Sequence, residues 1–496
     1  MLGKEPGMQA PTLEKAERMS RSMFARRKPH TMLIVAFSLL AGFAPALLRP
    51  TSNSMAGFGR ASGSGQIVHG DPSNYLALLR QLHPGETLLL EPGAYRPTEN
   101  GSGLPIYDMH GSPDAPIVIT GPESGPRPIL YASNNRNTVR IANASYITIR
   151  DLDLDGRNLD VDGVKAEGVS DHITVENLCI QHHGNNQQTV GISTKAPAWD
   201  WVVRRNTILG AGTGIYLGDS DGSKPFVHGT IEYNLIRDTV GYNMEIKHQI
   251  PRPDLPGMPT APGATIIRHN VFSKAQNGSV DGMARPNLLV GHFPLSGVGA
   301  EDVYEIYGNF FYENPTGEVL FQGEGNVAIY NNVFWNDQGD AVLIRPQNAY
   351  PRKVSVFWNT VLADGTGIKV VGGWDAYRQR VIGNLVFAPI PILASDVLAN
   401  VTGPRALARS YLRHPEGPLG QLDLSTLPEK LTSRNLPRQL FSGYDDAFLD
   451  FEGAKRGNTP AGAYEASHAG PHWLPSLEIK PVPTTAVIGD SSCLAH

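Results

Sequence analysis

The stretch Asn243-Met-Glu-Ile-Lys-His-Gln249 brings a carboxylate, an ammonium and an imidazole (Glu245, Lys247 and His248) within four positions. Side chains of these types transfer protons and neutralise developing charge when their neighbours tune them. In an extended segment alternate residues share a face, so Glu245 and Lys247 point together while Met244 and Ile246 point the other way. Lys247 works as a base only with a lowered pKa, which positive neighbours such as Arg285 or Arg345, or a metal, would supply. Glu245 pushes in the opposite direction. The residues therefore give Lys247 the base role only if a metal or Arg285 occupies Glu245, and otherwise give it to His248 or His292.

Similar phrases recur along the chain: Gly191-Ile-Ser-Thr-Lys195, Gly214-Ile-Tyr-Leu-Gly218, Asn287-Leu-Leu-Val-Gly291, Glu318-Val-Leu-Phe-Gln322 and Ala341-Val-Leu-Ile-Arg345. Their second and fourth positions are almost all apolar and must face a core. Stacked as strands, they present Ser193, Tyr216 and Glu245 in one outward column. The next column holds Lys195, Lys247, Gln322 and Arg345, with Asp219, His248 and His292 just beyond. Two rungs at about 4.8 Å each put Lys195 and Lys247 about 9 to 10 Å apart.

A second repeat supplies the scaffold. Asn177, Asn206, Asn234, Asn270, Asn309, Asn332, Asn359 and Asn384 each sit between short Val, Ile, Phe and Tyr stretches, at intervals of 29, 28, 36, 39, 23, 27 and 25 residues. Units of this size with several short strands cannot bury their own apolar faces and must stack, as the coils of a parallel β-solenoid do. An inward Asn at a tight bend pairs with backbone groups of its own and the next coil, so the eight are expected to form a ladder. A propeller fits less well, because hairpin signals such as Asn-Gly are scarce. The two longest intervals are consecutive, and their extra residues fall at 249–263 and 277–299. Long turns on adjacent coils form walls beside one stretch of sheet, which places a groove around Glu245, Lys247, His248, Arg285 and His292.

The ends read differently. Arg21, Arg26, Arg27 and Lys28 precede an apolar run over residues 32–48, the pattern of a signal peptide or N-terminal anchor over 1–50. Export to a secreted or periplasmic location follows. Residues 51–70 are a Gly/Ser-rich linker, 71–466 the solenoid with a short N-terminal helical cap, and 467–496 a Pro/Ser/Ala-rich tail expected to be disordered. Without residues 1–50 the chain carries 34 Lys/Arg against 44 Asp/Glu, a net charge of −10, which argues against nucleic acid as a partner. Cys179 and Cys493 are the two cysteines, one in a repeat strand and one near the end, and a structural disulfide is not expected. Asp219-Ser-Asp221-Gly resembles part of a calcium loop, although no Glu follows at the EF-hand distance. His182-His183 would need a third ligand to hold a metal.

Pro84-Gly-Glu-Thr-Leu-Leu-Leu-Glu-Pro-Gly-Ala-Tyr95, followed by Gly111-Ser-Pro-Asp-Ala-Pro-Ile-Val-Ile-Thr-Gly121, resembles the opening of the pectate lyase superfamily, particularly its chondroitinase-B-like and alginate-lyase-like members. Asp450-Phe-Glu-Gly-Ala-Lys-Arg456 and Ala461-Gly-Ala-Tyr-Glu465 are similar to the closing coil of such proteins. The resemblance covers roughly residues 71–466 and implies a right-handed parallel β-helix acting on an acidic polysaccharide, whose uronate carboxylates would meet the lysine column. Ile246-Lys247-His248-Gln249 is similar to the family phrase whose Lys acts as base, which implies that role for Lys247. The family's metal-binding acidic pair falls instead at Val240 and Tyr242, and its Arg before a His falls at Gly291, before His292, so Ca2+ as a cofactor rests on Asp219 and Asp221 as the candidate ligands. Three activities remain open: a lyase working by β-elimination on uronic-acid-containing chains, a hydrolase or epimerase on the same scaffold, and a non-catalytic glycan binder using Tyr216, Trp199, Trp201 or Trp374 as stacking faces. No stable protein partner is implied.

Overall fold

Strand-forming segments of three to five residues, separated by polar bends, each bury one face only against the next copy of themselves. The computed structural model describes residues 65–97, 101–427, 430–431, 436, 438–466, 473–482 and 493. A representative coil runs Met244–Ile246, Ala264–Arg268, the bend at Asn270, Val271–Ser273, then Leu288–Val290 one coil on. Equivalent strands pair in parallel, as Tyr216 with Glu245, Glu245 with Leu289 and Leu289 with Gln322. Three stacked sheets result: a front sheet of the Met244–Ile246 type, a ladder sheet leading into the Asn bends, and a back sheet of 12 strands. This is a parallel β-helix. Its interior is filled by Ile192, Ile215, Met244, Leu288 and Phe321 from the front and by ring stacks such as Phe272, Phe311 and Phe334, with centroids 5.0 and 4.6 Å apart.

The ladder forms with a one-residue correction at its start. From Asn206 to Asn384 each asparagine donates its backbone N–H and its Nδ2 to the carboxamide oxygen of the asparagine one coil on, for example Asn332 to Asn359 at 3.0 Å for both bonds. Each Nδ2 also donates to a carbonyl of the preceding coil, as Asn332 does to Ile306 at 2.8 Å. Asn177 is outside the run: Leu178 holds the equivalent place, its N–H donating to Asn206. Asn177 instead occupies the left-handed bend position before it, at φ 52°, and donates to Asp151. At the other end Asn400 extends the ladder by accepting from Asn384 at 2.8 and 3.0 Å. Asn332→Ala orphans buried backbone groups on two coils and is expected to destabilise by about 1 to 3 kcal/mol in chemical denaturation while leaving the front sheet intact.

The helix Tyr75–Leu79 lies over the first coil, with Tyr75 and Leu79 buried in the same cluster as Leu88 and Leu90. The expected linker gives way to structure early, since Ile67–Gly70 is already a strand paired with Thr87–Leu90. Residues 1–50 lie outside the described residues, and so does the apolar run within them. Among the described residues no helix is long and apolar enough to cross a membrane.

The C-terminal third corrects three expectations. Residues 450–465 do not add a closing coil but dock sideways, with Phe451, Ala463 and Tyr464 packing on Val271, Phe310 and Val333 of the back sheet. Arg456 anchors this segment by donating to Asn331 at 2.7 Å and to the carbonyls of Gly462 and Ala463. Within the expected disordered tail, residues 473–482 are packed: Trp473 and Ile479 join the same cluster, and buried Lys480 donates to the carbonyls of Gly308 and Phe451. Cys179 and Cys493 form a disulfide across 314 residues. The reason is direction: Cys179 aligns with Thr207, Leu235 and Val271 in the outward column of the back sheet, over which the chain returns, and is not a core residue of the coil.

Phe441 and Ala447 meanwhile cover Tyr307, Tyr330 and Phe357 on the outside of the ladder sheet. Along these coils the C-terminal region therefore overlies the back and ladder sheets and leaves the front sheet as the open face.

Candidate functional site

The front sheet aligns Lys165, Ser193, Tyr216, Glu245, Leu289, Gln322, Leu343 and Lys369 in one outward column. Their flanking residues, such as Ile215 and Leu217 or Met244 and Ile246, are fully buried, as strand alternation requires. Two positions along, the next column holds Lys195, Gly218, Lys247 and Gly291. Gly218, at φ +88°, carries no side chain between the two lysines, and a Cβ there would lie 3.4 Å from that of Lys247.

That gap gives the site its shape. The Tyr216 ring stands beside it with Lys195 Nζ 5.0 Å and Lys247 Nζ 5.7 Å from its centroid, both in cation–π range. Lys247 donates to Glu245 Oε1 at 2.8 Å, and Glu245 is only 4% exposed. Burial, reinforced by the negative charges of Glu245 and Asp219, pushes the Tyr216 phenol well above its ordinary range, so it stays a neutral donor. Tyr242, at the strand's entry, is likewise pushed up to about 12 by burial and then by Glu245. Ser193, a column neighbour, is committed to structure: its hydroxyl donates to buried Asp162, which also pairs with Lys165.

His248 and His292 meet at the exit of the front strands, their rings stacked with centroids 5.3 Å apart. The His292 Nδ1–H donates to the Phe293 carbonyl at 2.8 Å, which leaves Nε2 as the basic nitrogen of the neutral ring. Gly222 packs on the other side of His248, where a Cβ would come within 3.0 Å of Cδ2. Burial lowers the His248 pKa, and the charges of His292 and Lys247 lower it further. His248 is therefore held in its unprotonated, base-competent form to lower pH than a free imidazole.

The inserted residues do bracket this region, but as three segments. The second insertion is split by the front strand Leu288–Val290, so 277–286 stands at the strand entries and 291–302 at the exits, beside 249–263. At the entries the Met283 carbonyl accepts from Gln187 three coils back, and the Arg285 carbonyl accepts from Lys274 at 2.8 Å. Lys274 is fully buried, and burial pulls its pKa down to about 7. At the exits Arg252 pairs with Asp302, and the buried Arg352 guanidinium holds the carbonyls of Phe293, Pro294 and Ala300. Both walls are tied to the helix body.

Several expected members fall elsewhere. Arg285 does not reach Glu245: its guanidinium donates to the carbonyls of Gly282 and Ala284 and lies 5.9 Å from the Tyr242 ring. Asp219 pairs with Lys224 at 3.0 Å, and Asp221 accepts from Ser223, hydrogen bonds that lower both carboxyl pKa values and close a polar turn. Among the described residues no group of three His, Cys, Asp or Glu gathers where a cation could be held, so these two aspartates do not fit the expected calcium site. His183 is buried, with Nδ1 against the Val161 carbonyl. Gln322 sits in the Tyr216 and Glu245 column, two positions from its expected frame, and its expected place in Lys247's column belongs to Glu324, which the spacing alone did not single out. Arg345 is exposed and lies three rungs from Lys247. Trp199 and Trp201 are buried and offer no stacking face, whereas Trp374 is 49% exposed.

No family model and no curated protein matches the chain. Among solved structures it is similar to the GH136 lacto-N-biosidase from Eubacterium ramulus, with a TM-score of 0.45 and 11% identity over 68% of each chain. It is similar to pectate lyase Pel9A at a TM-score of 0.44 and 15% identity, covering 80% of this chain and 96% of that one. The PL6 family alginate lyase AlyGC gives a TM-score of 0.41 and 14% identity, covering 68% of this chain and 53% of that one.

Proposed function

We propose that the protein is a polysaccharide lyase that cleaves uronic-acid-containing chains by β-elimination on its front sheet. The observation that carries this reading is the slot over Gly218, flanked by Lys195 and Lys247 and walled by Tyr216. A sugar carboxylate seated there meets two ammonium groups, which neutralise it and acidify the adjacent C5 proton. Lys247 is fixed beside the slot by its ion pair with Glu245 at 2.8 Å. It therefore serves as the charge-neutralising group, and the base role passes to the His248–His292 pair. One imidazole takes the C5 proton, the C4–O4 bond breaks, a C4=C5 double bond forms, and the neutral Tyr216 phenol is placed to protonate the departing oxygen. Every step uses side chains alone.

The hydrolase reading is weaker because Asp219 and Asp221 are engaged by their own turn, and a hydrolase needs two carboxyl groups facing one bond. Incubation with acidic and neutral glycans, followed by ultraviolet absorbance and a reducing-end assay, decides the matter. An absorbing unsaturated end is expected. New reducing ends without it would transfer the activity to a hydrolase, and retention without turnover would leave a binding protein.

A further inference from the structure

Four rungs beyond Glu245, past Leu289, Gln322 and Leu343, the front column reaches Lys369, about 19 Å away at the spacing of parallel strands, with Leu393 one rung further. Two aromatic side chains stand at the strand exits there. Tyr350 is 62% exposed and Trp374 49% exposed, among the most exposed large apolar residues described. They are not on loose loops. The Trp374 N–H donates to the Pro351 carbonyl at 2.8 Å, joining the two turns. Gln379 Nε2 donates to the carbonyls of Arg352, Trp374 and Tyr377 at 2.9 to 3.0 Å, and Tyr377 packs edge-on against Trp374 at 5.5 Å. A cavity of about 430 Å³ lined by Gly372, Asp375, Gln379 and Ser395 opens beside them.

Holding an indole half in water sacrifices apolar burial, and fixing it through backbone bonds and the edge of Tyr377 leaves a flat, preorganised face. Cations accompany it, Lys369 in the column and exposed Arg345 one rung back. From this geometry we infer a remote subsite for the same acidic glycan, in which Trp374 and Tyr350 stack on sugar rings while Arg345 and Lys369 meet carboxylates. This rests on the glycan-active reading of the front sheet, of which it is the continuation along the coil axis. A chain reaching from Glu245 to Trp374 spans roughly four sugar units, so the subsite sets a length preference.

The test uses the full chain with oligogalacturonates and oligomannuronates of increasing length, measuring affinity by calorimetry and kcat and KM by absorbance. The wild type is expected to bind oligomers that pass about four units markedly more tightly than shorter ones. Trp374→Ala is expected to weaken the long oligomers about tenfold through KM, leaving kcat and the short oligomers unchanged, while Trp374→Phe retains most of the gain. An unchanged melting temperature in Trp374→Ala separates loss of the platform from loss of fold, and Tyr350→Ala gives a second reading if it does not hold. Equal weakening of short and long oligomers, or no weakening of either, overturns the subsite while leaving the lyase reading standing. Absence of binding by the wild type at every length overturns both.

Discussion

Lys247→Ala is expected to reduce kcat on an acidic glycan by about 100- to 1,000-fold, the usual effect of removing one preorganised charge partner of the transition state. Binding should weaken only modestly, because Lys195 still faces the slot from the other side of Tyr216. Glu245→Ala should also be severely impaired, since the carboxylate that fixes Lys247 at 2.8 Å is gone. Lys195→Ala and Arg345→Ala, which lie away from the stacked histidines, should instead raise KM with a salt-dependent penalty. Progress curves at ultraviolet wavelength provide the measurement. Near-native turnover in Lys247→Ala with inactive Asp219→Ala or Asp221→Ala would replace elimination by carboxylate-based hydrolysis.

The second large effect concerns the imidazole pair. His292→Ala and His248→Ala should each lower kcat by about 100-fold or more if the ring replaced is the one that takes the proton, in the range for general-base removal. The pH dependence has a definite sign. The His248 pKa lies below its ordinary value of 6.5, chiefly from burial, so the unprotonated form persists to lower pH than in a free imidazole. Activity should hold through neutrality and fall as the pH drops through that lowered value. Replacing His292 removes one of the charges that lower it, so the acid limb of any residual activity should move upward. A limb that stays put in His292→Ala, with turnover intact, would remove both rings from the chemistry.

Much of the scaffold was legible because the bend geometry demands one residue type. Only a short carboxamide bridges coils at that corner, and seven of the eight expected asparagines do so. Asn177 misled because the bend position before the ladder also tolerates Asn, whose side chain suits a left-handed backbone. Gln322 was misplaced for a different reason: alternation has a period of two, so a two-residue slip leaves the inward and outward pattern intact and only pairing reveals it. That Glu245, Lys247, His248 and His292 gather at one stretch of the front sheet was legible because alternation and loop length act locally. The release of Arg285 from Glu245, the burial of Trp199 and Trp201, and the outward direction of Cys179 depend on what other segments cover, which one coil's sequence does not encode.

The Cys179 to Cys493 bond has a topological consequence. A stacked solenoid ordinarily frays from its free end, each coil leaving without disturbing those further in. Joining residue 493 to a coil three rungs before that of Glu245 converts everything between into a covalent ring, so unravelling at that end becomes the opening of a loop whose closure contributes on the order of 5 kcal/mol in the chain-entropy picture. A backbone cut anywhere within the ring would then yield pieces that migrate as one molecule until a thiol is added, and non-reducing against reducing gels would display it. Such a ring endures only where thiols stay oxidised, which ties the durability of this fold to the compartment that holds it.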